Sequence, residues 1–156
     1  MMIVTARFSK KKAALAVIAA GVAAAVVVIL VSFVQRGSAD DLPELIDNAQ
    51  RVEYLQSLGW EVEPEPVETL QFLLPESLAE PYLSYNQLQK EQGFDLSEYC
   101  GKQVNRYTYT VLNYPNRPDD VQINLYICEN RPAAGDVFCS GADGFQETLV
   151  YPEADS

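Results

Sequence analysis

The apolar and polar positions of this chain change pattern at about residue 37. Before that point, Ala13 to Val34 form an apolar run of 22 residues, preceded by Lys10-Lys11-Lys12. At about 1.5 Å of rise per helical residue, the run spans roughly 33 Å, enough to cross a hydrocarbon core of about 30 Å. It predicts one transmembrane helix. Further on, Leu42, Leu45, Ile46, Ala49, Val52 and Leu55 recur at three- and four-residue spacing. That stripe predicts a helix from Pro43 to Leu58, with Gly59 as its left-handed stop. Glu61 to Pro66 alternates acid with Val or Pro and reads as an extended edge segment. Leu70, Phe72 and Leu74 continue as a strand. A second helix is expected from about Pro81 to Gln92, with Leu78, Tyr82, Tyr85 and Leu88 on one side and Gly93 as its stop.

After a loop through Phe94–Gly101, a two-residue period takes over. Gln103 to Tyr114 places Tyr107, Tyr109 and Val111 on one face. Val121, Ile123, Leu125 and Ile127 then alternate with Gln122, Asn124, Tyr126 and Cys128, the pattern of a strand with one dry face and one wet face. The turn residues Pro115 to Asp120 make these two strands a hairpin. Asp136–Ser140 and Phe145–Tyr151 are shorter strand candidates. Two helices followed by strands predict an α+β domain, two helices packed on an antiparallel sheet covered on one face.

Charge orients these parts. Arg7, Lys10, Lys11 and Lys12 precede the apolar run, Arg36 alone follows it closely, and all 22 acidic residues lie beyond residue 36. The positive-inside rule then puts the N-terminus in the cytoplasm and the domain outside the cell membrane. The expected organisation is a basic tail 1–12, a transmembrane helix 13–34, a linker 35–42, an extracytoplasmic domain 43–151 and a flexible tail 152–156. A cleaved signal peptide shares the basic start, and Gly37-Ser38-Ala39 offers a small-residue site near Ala39. Signal h-regions run only about 7–15 residues, so an uncleaved, single-pass anchor is expected. Beyond residue 36, six basic residues leave a net charge of −16, which opposes nucleic-acid binding.

Three strings from Arg51 to Pro115 carry a resemblance: YLQSLGWEVEPEP, YNQLQKEQGFDLSEYCGK and NRYTYTVLNYP. With Gly135-Asp136-Val137 and Asp143-Gly144-Phe145, they make roughly Asp47 to Ser140 similar to a family of bacterial membrane-anchored extracytoplasmic domains, the domain-of-unknown-function 4830 family. The resemblance implies the anchor and the architecture and brings no chemistry with it. In this chain Phe138 separates Val137 from Cys139, where the resemblance leads one to expect Val followed directly by Cys.

The chemistry that remains is narrow. The chain has no histidine, which removes imidazole-dependent nucleophiles and metal sites. It has no C-x-x-C, P-loop or G-x-G-x-x-G motif, neither Lys90 nor Lys102, the lysines beyond the apolar run, completes an S-x-x-K, and no cofactor is implied. Glu61, Glu63, Glu65, Asp95 and Glu98 are the acids available for a carboxylate pair, set against an ordinary charged surface. In an oxidising compartment, Cys128 and Cys139 are expected to bridge if the hairpin turns near Ala133-Ala134, leaving Cys100 over. Arg106, Thr108, Thr110, Gln122, Asn124 and Tyr126 share one polar sheet face. That face reads either as a peptide or glycan platform anchored by Arg106 and Tyr126, or as plain solvated surface. The reading is a non-enzymatic interaction module at the cell envelope with a protein or glycan partner. The alternatives are a carboxylate-dependent cell-wall glycan hydrolase and a structural domain that self-associates through an open strand edge.

Overall fold

Five antiparallel strands paired in chain order form the frame: β1 (Glu68–Leu73), β2 (Gln103–Thr110), β3 (Val121–Cys128), β4 (Arg131–Cys139) and β5 (Phe145–Glu147). Two helices, α1 (Asn48–Ser57) and α2 (Tyr82–Glu91), and a 3-10 turn at Leu96–Tyr99 complete the α+β domain. A computed structural model describes residues 41–116 and 119–153. The expected tail 1–12 and membrane helix 13–34 lie outside the described residues. Among the described residues, no helix is long and apolar enough to cross a membrane.

The strand alternation is met closely. Val121, Ile123, Leu125 and Ile127 join Tyr109, Val111 and Val137 in a main core, closed by Leu55 of α1 and by Trp60. Trp60 is 1% exposed, and its indole N–H donates to the Leu149 carbonyl at 2.8 Å. Its ring lies 4.7 Å from that of Tyr151, so the segment after β5 is pinned back over the core. Segment 61–67 runs extended beside β2, as its alternation predicts: Val62 bridges Val111, and Glu63 N–H donates to the Thr110 carbonyl at 2.9 Å.

Helix α1 starts later than the apolar stripe indicates. Asp47 and Gln50 form a capping box: Gln50 N–H donates to Asp47 Oδ1 at 2.8 Å, and Asp47 N–H donates to Gln50 Oε1 at 3.2 Å. These bonds satisfy the orphan donors of the first turn at residue 47, so nothing extends the helix back to Pro43. Leu45 is buried in extended chain instead, with its N–H on the Asn130 carbonyl, and Ile46 is 62% exposed. Both helices stop where expected, followed by Gly59 at φ +98° and Gly93 at φ +89°.

The second correction is the layering. Arg51 of α1 lies over the Tyr107 ring at 3.8 Å and donates from Nε to the Tyr109 hydroxyl at 3.1 Å, on the main-core face. Tyr85 of α2 packs against Tyr126 of the opposite face at 5.7 Å. The helices therefore cover the two faces, not one. Beneath α2 and the 3-10 turn sits a second core: Leu74, Leu96, Tyr99, Val104, Cys128, Ala133 and Ala134.

The cysteine pairing is also corrected. The β3–β4 hairpin turns at Glu129-Asn130, both with positive φ, so Cys128 pairs with Arg131 and Cys139 with Val121. Seven residues of strand, roughly 23 Å, separate those positions, against about 7 Å at most for bridged Cα atoms. The two thiols also lie in different cores, and all three cysteines are free. Ala133, where the turn was expected, is instead the extra residue of a bulge that absorbs Pro132 within β4.

Two outcomes test this description. Alkylation of denatured, non-reduced protein is expected to label all three thiols. Leu55→Ala, at a fully buried position, is expected to cost about 2–5 kcal/mol in urea unfolding.

Candidate functional site

The face opposite the main core is organised as cross-strand rows. Arg106 pairs with Tyr126, Thr108 with Asn124, and Thr110 with Gln122, so all six residues expected on one face are together there. β1 adds Glu68 opposite Thr108, and β4 adds Asp136 opposite Asn124. A polar row thus crosses four strands as Glu68, Thr108, Asn124 and Asp136.

The interior of that row is not the wet surface its polarity predicts. Thr108 is 3% exposed, Asn124 8% and Asp136 0%. They are sheltered because α2 lies over this face and because the row satisfies itself. The Thr108 hydroxyl donates to Asn124 Oδ1 at 2.8 Å. Asn124 Nδ2 lies 3.3 Å from Asp136 Oδ2, and Gln146 Nε2 reaches that same oxygen at 3.2 Å. The Tyr85 hydroxyl donates to Asp136 Oδ1 at 2.5 Å. A buried carboxylate is tolerable only with such donors. Burial still dominates: it pushes the Asp136 carboxyl above its ordinary range, and the bonds from Tyr85, Gln146 and Asn124 pull back only in part. Burial, then the neighbouring Asp136, pushes the Tyr85 hydroxyl well above its ordinary value.

One row nearer α2, Arg106 is the cation of the site. Its Nη2 pairs with Glu68 on the rim, while its buried Nε makes no hydrogen bond. Burial opposes its charge, but Tyr126 and Glu68 outweigh that and hold it firmly protonated. Arg106, Tyr126, Thr110 and Gln122 are the partly exposed members of the six. They form the accessible part of the site, and Thr108, Asn124 and Asp136 form its supporting layer. Asp136, Tyr85 and Gln146 were not singled out from sequence. The signal available was an aspartate within the Gly135-Asp136-Val137 string, at the strand phase opposite the core residue Val137.

The acids considered for hydrolysis are dispersed. Glu61, Glu63 and Glu65 are exposed along the segment beside β2. Asp95 caps the 3-10 turn at the other end of the β1–β2 ladder, and Glu98 lies within that turn. The hydroxyl of Ser97, with further bonds from Asn86 and Lys90, holds the Asp95 carboxyl well below its ordinary range. A cleft of about 500 Å³ is lined by Gln56, Gly59, Trp60, Glu61, Val62 and Leu112 and has one carboxylate in its wall. Cys128 is buried in the second core, and burial raises its thiol pKa, the reverse of nucleophile activation.

A family model described as a domain of unknown function (DUF4830) matches residues 54–131. The match runs from the last turns of α1 to the first residue of β4, and so includes Arg106 and Tyr126. No curated protein and no solved structure matches the chain.

Asp136 has a testable pH signature. Between the ordinary Asp value of about 3.9 and its raised folded value, the folded state binds more protons than the unfolded state. Its contribution to stability therefore falls as pH rises through that window. Asp136→Asn removes the contribution, so the variant is expected to gain stability relative to wild type as pH is raised from about 4 towards about 7. Urea unfolding at a series of pH values measures it, and a pH-independent difference would contradict the assignment.

Proposed function

Since this chain belongs to the family of the domain of unknown function DUF4830, and the matched segment includes Arg106 and Tyr126, we propose that it is a non-enzymatic binding module of the cell envelope. In this reading residues 13–34 are a single-pass membrane anchor with the N-terminus in the cytoplasm. The domain from about residue 43 is held on the extracytoplasmic side, where it meets a protein or glycan partner. The observation that carries the proposal is the state of Arg106. The guanidinium sits on a rigid sheet, one side chain away from a fully satisfied polar layer, bonded to Tyr126 and with Nη2 on the exposed rim carboxylate of Glu68.

A ligand carboxylate or vicinal hydroxyls could take the place of Glu68 on the Nη2 side of the guanidinium, with little rearrangement beneath. Tyr126 beside it holds that guanidinium in place: its ring packs against Phe72 and Tyr85, and its hydroxyl bonds with Tyr85 and Arg106. No substrate atom needs to reach Asp136, and at 0% exposure that carboxyl is a support for the site. For the hydrolase alternative, two acids would have to line one cleft, and the cleft described above holds one of them, Glu61.

The test is in-cell cross-linking of the full-length tagged protein, followed by mass spectrometry, with wild type, Arg106→Ala and Tyr126→Ala side by side. Loss of a charge-assisted anchor is worth about 1.5–3 kcal/mol, roughly 10- to 100-fold in affinity. Partners captured by wild type are therefore expected to fall sharply in Arg106→Ala, with unfolding midpoints little changed. Equal recovery of every partner by all three proteins would reject the proposal.

A further inference from the structure

The two edges of the sheet are treated very differently. At the β4 side, β5 pairs with only Val137, Phe138 and Cys139, and side chains of α2 and its C-cap cover the next stretch: Gln89 Oε1 accepts Gly135 N–H at 2.9 Å, and Gln92 Nε2 donates to the Gly135 carbonyl at 2.7 Å. At the other side lies β1, and among the described residues no strand pairs with its outer edge. Upstream of it, segment 61–67 is guarded by Pro64, Pro66 and the exposed Glu61, Glu63 and Glu65, the usual protection of a bare edge. From Thr69 to Leu73 the protection stops. This stretch has no proline and no charge, and its ladder with β2 runs without a register shift. Leu70 is 44% exposed and Leu73 69%, with Val67 just upstream at 58%.

The ladder phase shows which backbone groups are available. Leu74 N–H donates to the Lys102 carbonyl at 2.9 Å, so in an antiparallel pair Phe72 and Leu70 also turn inward to β2. Thr69, Gln71 and Leu73 then direct their N–H and C=O groups outward, a template for one more strand. Charge selects the occupant. Glu61, Glu63, Glu65 and Glu68 lie at one end of the open stretch, and the exposed Glu76 and Glu80 lie beyond the other. The nearby cations are already engaged: Arg106 with Glu68, and Lys102 with Glu129. A second copy laid antiparallel on this edge would bring the glutamates of one end against those of the other. A strand with basic ends and an uncharged middle meets attraction at both ends.

We propose that the outer edge of β1, Thr69–Leu73, is a docking edge that captures an extended peptide segment of a partner with lysine or arginine at its ends. The surface is distinct from the Arg106 side chain, so each proposal can fail without the other.

The probe is a synthetic peptide, Lys-Lys-Val-Thr-Val-Thr-Val-Lys-Lys, titrated into the isotope-labelled full-length protein. Binding is expected to shift the amide signals of Thr69, Gln71 and Leu73 above those of other strands and to weaken as salt is raised. Exchanging the terminal lysines for glutamates is expected to weaken it at least about tenfold. N-methylating alternate residues of the probe, which removes its donors without touching the protein, is expected to do the same. Gln71→Pro blocks the outward N–H from the protein side and is expected to match that loss. The proposal is overturned if the acidic or N-methylated peptide binds as well as the parent, or if no β1 amide responds. It is also overturned if sedimentation shows the peptide-free protein already paired through this edge, with Gln71→Pro restoring the monomer.

Discussion

A buried edge has to be hydrogen-bonded, and in this domain β5 is too short to do it. It ends its pairing at Val137, and the backbone of Gly135 would be left without partners in the interior. The amides of Gln89 and Gln92 supply them in place of a strand: Gln89 takes the N–H and Gln92 the carbonyl. Gln92 also donates to Gln89 at 2.8 Å and accepts from Leu149 N–H at 2.7 Å. Leaving such groups unmet would cost about 1–3 kcal/mol each, so the position of α2 is narrowly constrained. With α2 so placed, Tyr85 reaches Asp136 and Asn86 caps the 3-10 turn through Leu96 N–H at 2.7 Å. The second core is then closed beneath the 3-10 turn. Arg106 inherits its rigid setting from the same arrangement.

This also explains what the sequence could and could not convey. The alternation Val121-Ile123-Leu125-Ile127 is a local signal with one solution, and it matches β3, its main-core face and the β2–β3 hairpin, while the face expected to be wet is largely buried. Gly59 and Gly93 likewise end their helices through local geometry. The start of α1 was misread because apolar spacing continued through Leu42, Leu45 and Ile46, whereas the capping box of Asp47 and Gln50 decided the matter. In α2 the apolar residues suggested the buried side, yet the two fully buried positions are Asn86 and Gln89. Gln89 bonds the backbone of Gly135 and Asn86 that of Leu96, and no periodicity of α2 itself can announce that.

The polar face shows the same division. That Arg106, Thr108, Thr110, Gln122, Asn124 and Tyr126 share it follows from a two-residue period alone. That Thr108 and Asn124 are buried depends on Asp136 and Gln146 arriving from β4 and β5 and on α2 lying above. The cysteines failed for a related reason. Glu129-Asn130 adopts the two-residue turn without a glycine, and Pro132, which looks like a break, is carried inside β4 by the bulge at Ala133. Long-range compensation of this sort is legible only in three dimensions.

The clip between Leu45 N–H and the Asn130 carbonyl, 2.6 Å long, has a mechanical consequence. Segment 42–47 leads into the domain here, and any load applied through it would meet this bond and the Leu42 and Leu45 side chains first. They attach at the β3–β4 turn, the end of the two strands that form the middle of the sheet. One backbone bond and two leucines hold far less firmly than the sheet behind them. Such a clip would open and free segment 42–47 before α1, Trp60 or any strand felt the load. The sheet and its two cores would in that way outlast a pull on segment 42–47.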